Sequence, residues 1–136
     1  MAGNRLLPAL WASLGAQVLG RLLDLRWHLA NDEFEGASQQ LEAHWLIWLA
    51  VIATIAVAAL ALRRDDVAAG RSGFRVVLAS GVLYAAVAVW HFVEHANGVD
   101  PELAHYLLVV TEAGMFAGAL MATLALRRQV AAKPLR

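Results

Sequence analysis

Four of the chain's five histidines sit in aromatic pairs that recur in one arrangement. Trp27-His28 leads, sixteen residues from His28, to His44-Trp45; Trp90-His91 leads, fourteen residues from His91, to His105-Tyr106. The approaches to the second histidines also rhyme, Leu41-Glu42-Ala43-His44 against Glu102-Leu103-Ala104-His105. Neutral imidazole is the commonest protein metal ligand, and a carboxylate often orients it or completes the shell. Asp24 precedes His28 by four residues and His95 follows His91 by four. On a helix each of these pairs falls one turn apart on one face. Glu112, seven residues after His105, is nearly in line with it.

These residues offer coordination of one or two transition-metal ions. His28, His44, His91 and His105 are the first expected ligands, because the repeat relates them. Asp24, His95 and Glu112 follow, as further ligands or as groups that orient ligands. The chain has no cysteine, so thiolate zinc sites and cysteine-held iron–sulfur clusters are excluded. Imidazole and carboxylate suit Zn, Fe, Mn or Cu, and affinity order does not choose among them. The spacing is not the Glu-x-x-His pair of di-iron bundles. Haem b between two histidines, His28 with His91 or His44 with His105, is the alternative cofactor. The intramembrane acids weigh against it, since an iron porphyrin needs no acidic ligand. A polar network without a cofactor, a proton path or a packing device, is the third reading.

The elements that carry these residues are long and apolar. Of 136 residues, 60% are hydrophobic and 16% charged, too apolar for an ordinary soluble domain. The apolar residues form blocks of ~20, the length that spans a bilayer core. Four transmembrane helices are expected, at about 6–30, 41–62, 74–96 and 103–126. The expected fold is an all-α four-helix membrane bundle. It forms one domain, residues 1–128, with a tail at 129–136. Reading the first segment as a cleaved signal peptide is disfavoured. No small-x-small site follows it, and cleavage after Ala16 would leave a polar half-helix.

Net charge is zero but unevenly spread. Arg5, Arg63, Arg64, Arg71, Arg75, Arg127, Arg128, Lys133 and Arg136 fall on one side of the four-span topology. Asp32, Glu33, Glu35, Glu42, Glu94, Asp100 and Glu102 fall on the other. The positive-inside rule puts both termini and the 63–73 connection in the cytoplasm, and the histidine-bearing ends outside. Two tandem hairpins, 6–62 and 74–126, form a parallel repeat about an axis along the membrane normal. Val99-Asp100-Pro101-Glu102 reads as a turn with Asp100 capping the fourth helix.

Helical phase sharpens the site. Gln17, Arg21, Asp24 and His28 form one stripe on the first helix, expected to face the bundle interior. Arg21 and Asp24, three apart, are within pairing range. Ser80, Tyr84, His91 and His95 share a face of the third helix. Gly114-x-x-x-Gly118 permits close helix contact on the fourth. Trp27, Trp45, Trp90 and Tyr106 read as an interfacial aromatic belt.

Three function classes fit these features. The first is a metalloenzyme, either a non-haem oxidoreductase acting on a lipid or quinone or a zinc hydrolase. The second is a b-type electron carrier. The third is a non-catalytic membrane subunit or metal-handling protein. The expected setting is a bacterial-type plasma membrane. The expected partners are the lipid bilayer and either a larger membrane complex or further copies of the chain. Nucleic acid is not among them.

Overall fold

In lipid, a backbone must satisfy its own N–H and C=O groups, and a long apolar run does so as a helix. The computed structural model of the chain describes residues 5–30, 37–99 and 102–132, the side chains of 37–43 excepted. The described residues are all-helical: α1 (Leu6–Ala30), α2 (Ala37–Leu62), α3 (Arg71–Ala96) and α4 (Glu102–Ala131). All four are long and apolar enough to cross a membrane. Pro8 lies in the first turn of α1, where its missing N–H has no intrahelical partner to lose.

The helix centres match the sequence expectation and the ends differ. α2 begins at Ala37 rather than Leu41, α3 at Arg71 rather than Phe74, and α4 runs past Leu126 to Ala131. Hydropathy marks only the apolar part of a span, whereas the helix continues into turns whose charged side chains reach water. The expected 63–73 loop is correspondingly tighter, with Asp65–Gly70 forming a short 3-10 turn. Arg64 Nε and Nη2 both donate to the Asp66 carboxylate at 2.9 Å across it. The expected cap at Asp100-Pro101, Asp32, Glu33, Glu35 and the Glu42 side chain lie outside the described residues.

Sequential helices pack side by side, α1 on α2, α2 on α3 and α3 on α4, while α1 and α4 meet less closely. On α4, Ala104, Leu108, Thr111, Met115, Gly118 and Ala122 are buried at alternating steps of four and three, with Ala119 buried beside them. That is the spacing of a seam between nearly aligned helices. The opposite faces carry exposed apolar side chains such as Leu22, Leu25, Ile52, Val82, Val109 and Val110. A soluble bundle would place polar groups there.

The α3–α4 seam is close because it is lined by small residues, as Gly114-x-x-x-Gly118 leads one to expect. A Cβ on Gly118 would meet the backbone of Gly73 and Val77, one on Gly73 the backbone of Gly118 and Ala122, and one on Gly114 the Ser80 hydroxyl. α3 ends just past its second histidine in a left-handed glycine cap. Gly98 has φ +73°. Its N–H bonds to the His95 carbonyl and the Val99 N–H to that of Glu94, both at 3.0 Å. The end of α1, the start of α2, the end of α3 and the start of α4 therefore share one end of the bundle.

Candidate metal centre

The first hairpin brings together Asp24, His28 and His44. Asp24 and His28 stand one turn apart on α1, and His44 comes from the first turns of α2. Asp24 is only 9% exposed. Its Oδ1 faces His44 Nε2 at 3.3 Å and His28 Nε2 at 3.5 Å. Neither approach is aligned as a hydrogen bond, so a shielded carboxylate oxygen has no hydrogen-bond partner. Shielding such an oxygen without a hydrogen bond is costly. A cation among the three donor atoms would remove that cost.

The second hairpin brings together His91, His95 and His105. His91 and His95 are one turn apart on α3, and His105 is at the start of α4. His91 is buried at 8% exposure, while His95 is half-buried and His105 exposed. His91 Nε2 and His105 Nε2 are 2.8 Å apart. The His91 ring stands 4.4 Å, centroid to centroid, from both His95 and His105.

Within each trio the donor atoms all lie within 4.8 Å of one another. A tetrahedral ion with bonds of ~2.0–2.1 Å wants its donors roughly 3.3 Å apart, inside that limit. The trios adjoin: the His44 and His91 rings are 6.2 Å apart, linking all five histidines into one cluster. Both are built alike, from two residues one turn apart on the first helix and one histidine opening the second. The register differs. Asp24 lies a turn deeper than the Trp27-His28 pair, and His95 a turn shallower than Trp90-His91.

Glu112 does not join either trio. It lies deeper, where its Oε2 accepts from Arg21 Nε at 3.2 Å. Arg21 thus pairs across the bundle, from α1 to α4, and not along α1 with Asp24. Its Nη2 also donates to the Tyr84 hydroxyl at 2.8 Å. Glu94 is likewise apart, accepting from Trp90 Nε1 at 3.2 Å. Trp45 and Tyr106 point outward at 51% and 69% exposure, as belt residues do, and the Trp27 ring lies edge-on to His28.

A deeper polar cluster was not legible in the sequence. Gln17 Nε2 donates to Thr54 Oγ1 at 2.8 Å, and Thr54 Oγ1 lies 2.8 Å from Ser13 Oγ. Gln17 is on the expected stripe, but Thr54 is a single hydroxyl in a long apolar run, with nothing to mark it as a partner. The cluster links α1 to α2 and lies apart from both trios, with Gln17 Oε1 left without a hydrogen-bond partner among the described residues.

Chemically, the bundle end offers an Asp-His-His set beside a three-histidine set. Three protein donors per ion leave a coordination position open, as catalytic sites do and closed structural sites do not. No protein-family model matches this chain, and no curated protein or solved structure shows significant similarity to it.

Proposed function

We propose that this chain is an integral membrane protein that binds one or two transition-metal ions, one per hairpin. Asp24, His28 and His44 hold the first; His91, His95 and His105 hold the second. The observation that carries this reading is the convergence of all five histidines and the shielded Asp24 carboxylate at one end of four apolar helices. Interfacial histidines bonded only to water have no reason to face one another in threes.

The repeat and the orientation belong to the same proposal. The common construction of the two trios supports duplication of a hairpin. Basic residues gathered at the opposite end support cytoplasmic termini and a metal centre toward the outer face. With an open position on each ion, the reading extends to a non-haem metalloenzyme acting on a lipid or quinone that reaches the site from the bilayer. A b-type carrier fits less well. A haem held by His28 with His91, or by His44 with His105, needs those nitrogens on opposite faces of a macrocycle, whereas His91 and His105 turn their Nε2 atoms toward each other at 2.8 Å. A non-catalytic or metal-handling subunit would use the same ligands with the open position filled by a partner.

Purification without chelators, followed by elemental analysis beside an absorbance spectrum, tests the reading. The expected result is stoichiometric metal without a Soret band. A Soret band would transfer the assignment to haem, and neither signal would leave a polar network.

A further inference from the structure

On the deeper side of the two trios lies a cavity of about 20 Å³, bordered by His44 of the first trio and His91 of the second. Its other polar walls are Arg21 and Tyr84, and Trp48, Phe92 and Ala88 close it on apolar sides. A space of ~10–15 Å³ by this measure holds one water. The cavity therefore admits a single small ligand and excludes a large one.

The wall chemistry selects among small ligands. Arg21 brings a cation. It also donates to the Tyr84 oxygen at 2.8 Å, which leaves the hydroxyl proton of Tyr84 for donation elsewhere. Among the described residues that proton has no acceptor. Both groups favour negative charge in the cavity, and one ligand of each ion borders it. Glu112 balances Arg21 from α4 at 3.2 Å, so the pair adds no net charge that would repel the ions.

We infer that this cavity is the exchangeable-ligand position of the metal centre, holding a hydroxide-sized anion on the deeper side of the ions with Tyr84 and Arg21 stabilising it. This rests on the metal reading and names what the open coordination position takes. Water supplies the ligand by losing one proton to bulk solvent on binding, as metal-bound water does near neutral pH in zinc enzymes. The bound hydroxide would be the reactive or displaceable group of the centre.

The test uses the full chain in detergent, stripped and reloaded with Co(II), whose visible bands report coordination number, and fluoride as the hydroxide-sized probe. Fluoride is expected to change the Co(II) spectrum in a saturable way. Tyr84→Phe is expected to weaken fluoride about tenfold at unchanged cobalt content, the size of one hydrogen bond to a charged acceptor. Ala88→Val puts two further methyl groups into the wall of a cavity with room for about one water and is expected to abolish the fluoride response at unchanged cobalt content. Cobalt binding without any fluoride response overturns the inference and leaves the metal reading standing. A fluoride response untouched by both substitutions also overturns it, because the ions are then reached from the exposed His28 and His105 side. Absence of cobalt binding overturns both.

Discussion

His91 Nε2 and His105 Nε2 meet at 2.8 Å, joining α3 to α4 at the rim of the bundle. A hydrogen bond between two ring nitrogens needs a proton on one and a lone pair on the other. A metal ion at this trio needs the lone pair of both Nε2 atoms, so the donating ring shifts its proton to its own Nδ1 as the ion binds, with no net proton release from neutral imidazoles. Affinity falls as pH falls because protons compete for the same nitrogens. Stripped protein titrated with Zn²⁺ should bind the ion at this trio more weakly at about pH 5 than at about pH 8. Affinity at this trio that does not change over that range would mean that His91 and His105 are not both ligands.

The two trios should empty separately. Asp24→Asn removes the only formal negative charge of the first set and leaves the second intact. His91→Ala removes the buried ligand of the second and leaves the first. Each is expected to lose about one equivalent of metal, and the double variant to lose both. If either single substitution emptied the protein, the ions would share one site spanning His44 and His91.

Arg21 and Glu112 make a different prediction. Their side chains are 30% and 16% exposed, so the pair is only partly withdrawn from its surroundings. Truncating one partner strands a charge inside the bundle, an expected loss of about 1–3 kcal/mol after discounting for that exposure. Arg21→Met with Glu112→Met should recover most of it. Metal content should not change in Glu112→Met, because that carboxylate faces Arg21 and neither trio. Loss of metal there would make Glu112 a ligand after all. Thermal unfolding in detergent and elemental analysis read the two effects.

What the sequence made legible follows from which forces are local. The number and centres of the helices could be read from apolar runs, since lipid leaves the backbone few alternatives. Asp24 with His28, and His91 with His95, could be read from four-residue spacing, because a turn of helix fixes that proximity. The partner of Arg21 could not. Phase gives the face a residue shares, not the neighbour that faces it, and Asp24 looked as available as Glu112. Glu112 drops out of the second trio because it lies below His105 at the depth of Arg21. His95, one turn above His91, completes the trio instead. The expected turn stood at Val99-Asp100-Pro101-Glu102 and missed the glycine cap at Asn97-Gly98, although Asn-Gly is itself a turn signal. The Thr54 hydroxyl, lone in an apolar run, carried no signal.

The close α3–α4 seam sets the spacing on which the second trio depends. Gly73→Ala would drive a methyl into the backbone of Gly118 and Ala122, and backbone cannot swing aside. The expected cost is about 1–3 kcal/mol with weakened metal binding at His91, His95 and His105. Gly15 meets nothing within 4 Å of an added Cβ. Gly15→Ala should therefore be neutral, or stabilising by up to about 1 kcal/mol through helix propensity. Equal effects of the two substitutions on unfolding temperature would refute the seam argument.

The central claim is that the clustered imidazoles hold metal. Its most direct measurement is the metal content of purified wild-type protein against a variant with His28, His44, His91 and His105 all changed to alanine. Both would be prepared without chelators, and helical content checked by circular dichroism. The account predicts one to two equivalents of a single transition metal in the wild type and less than a tenth of that in the helical variant. Equal metal content in the two proteins, or none in either, would contradict it.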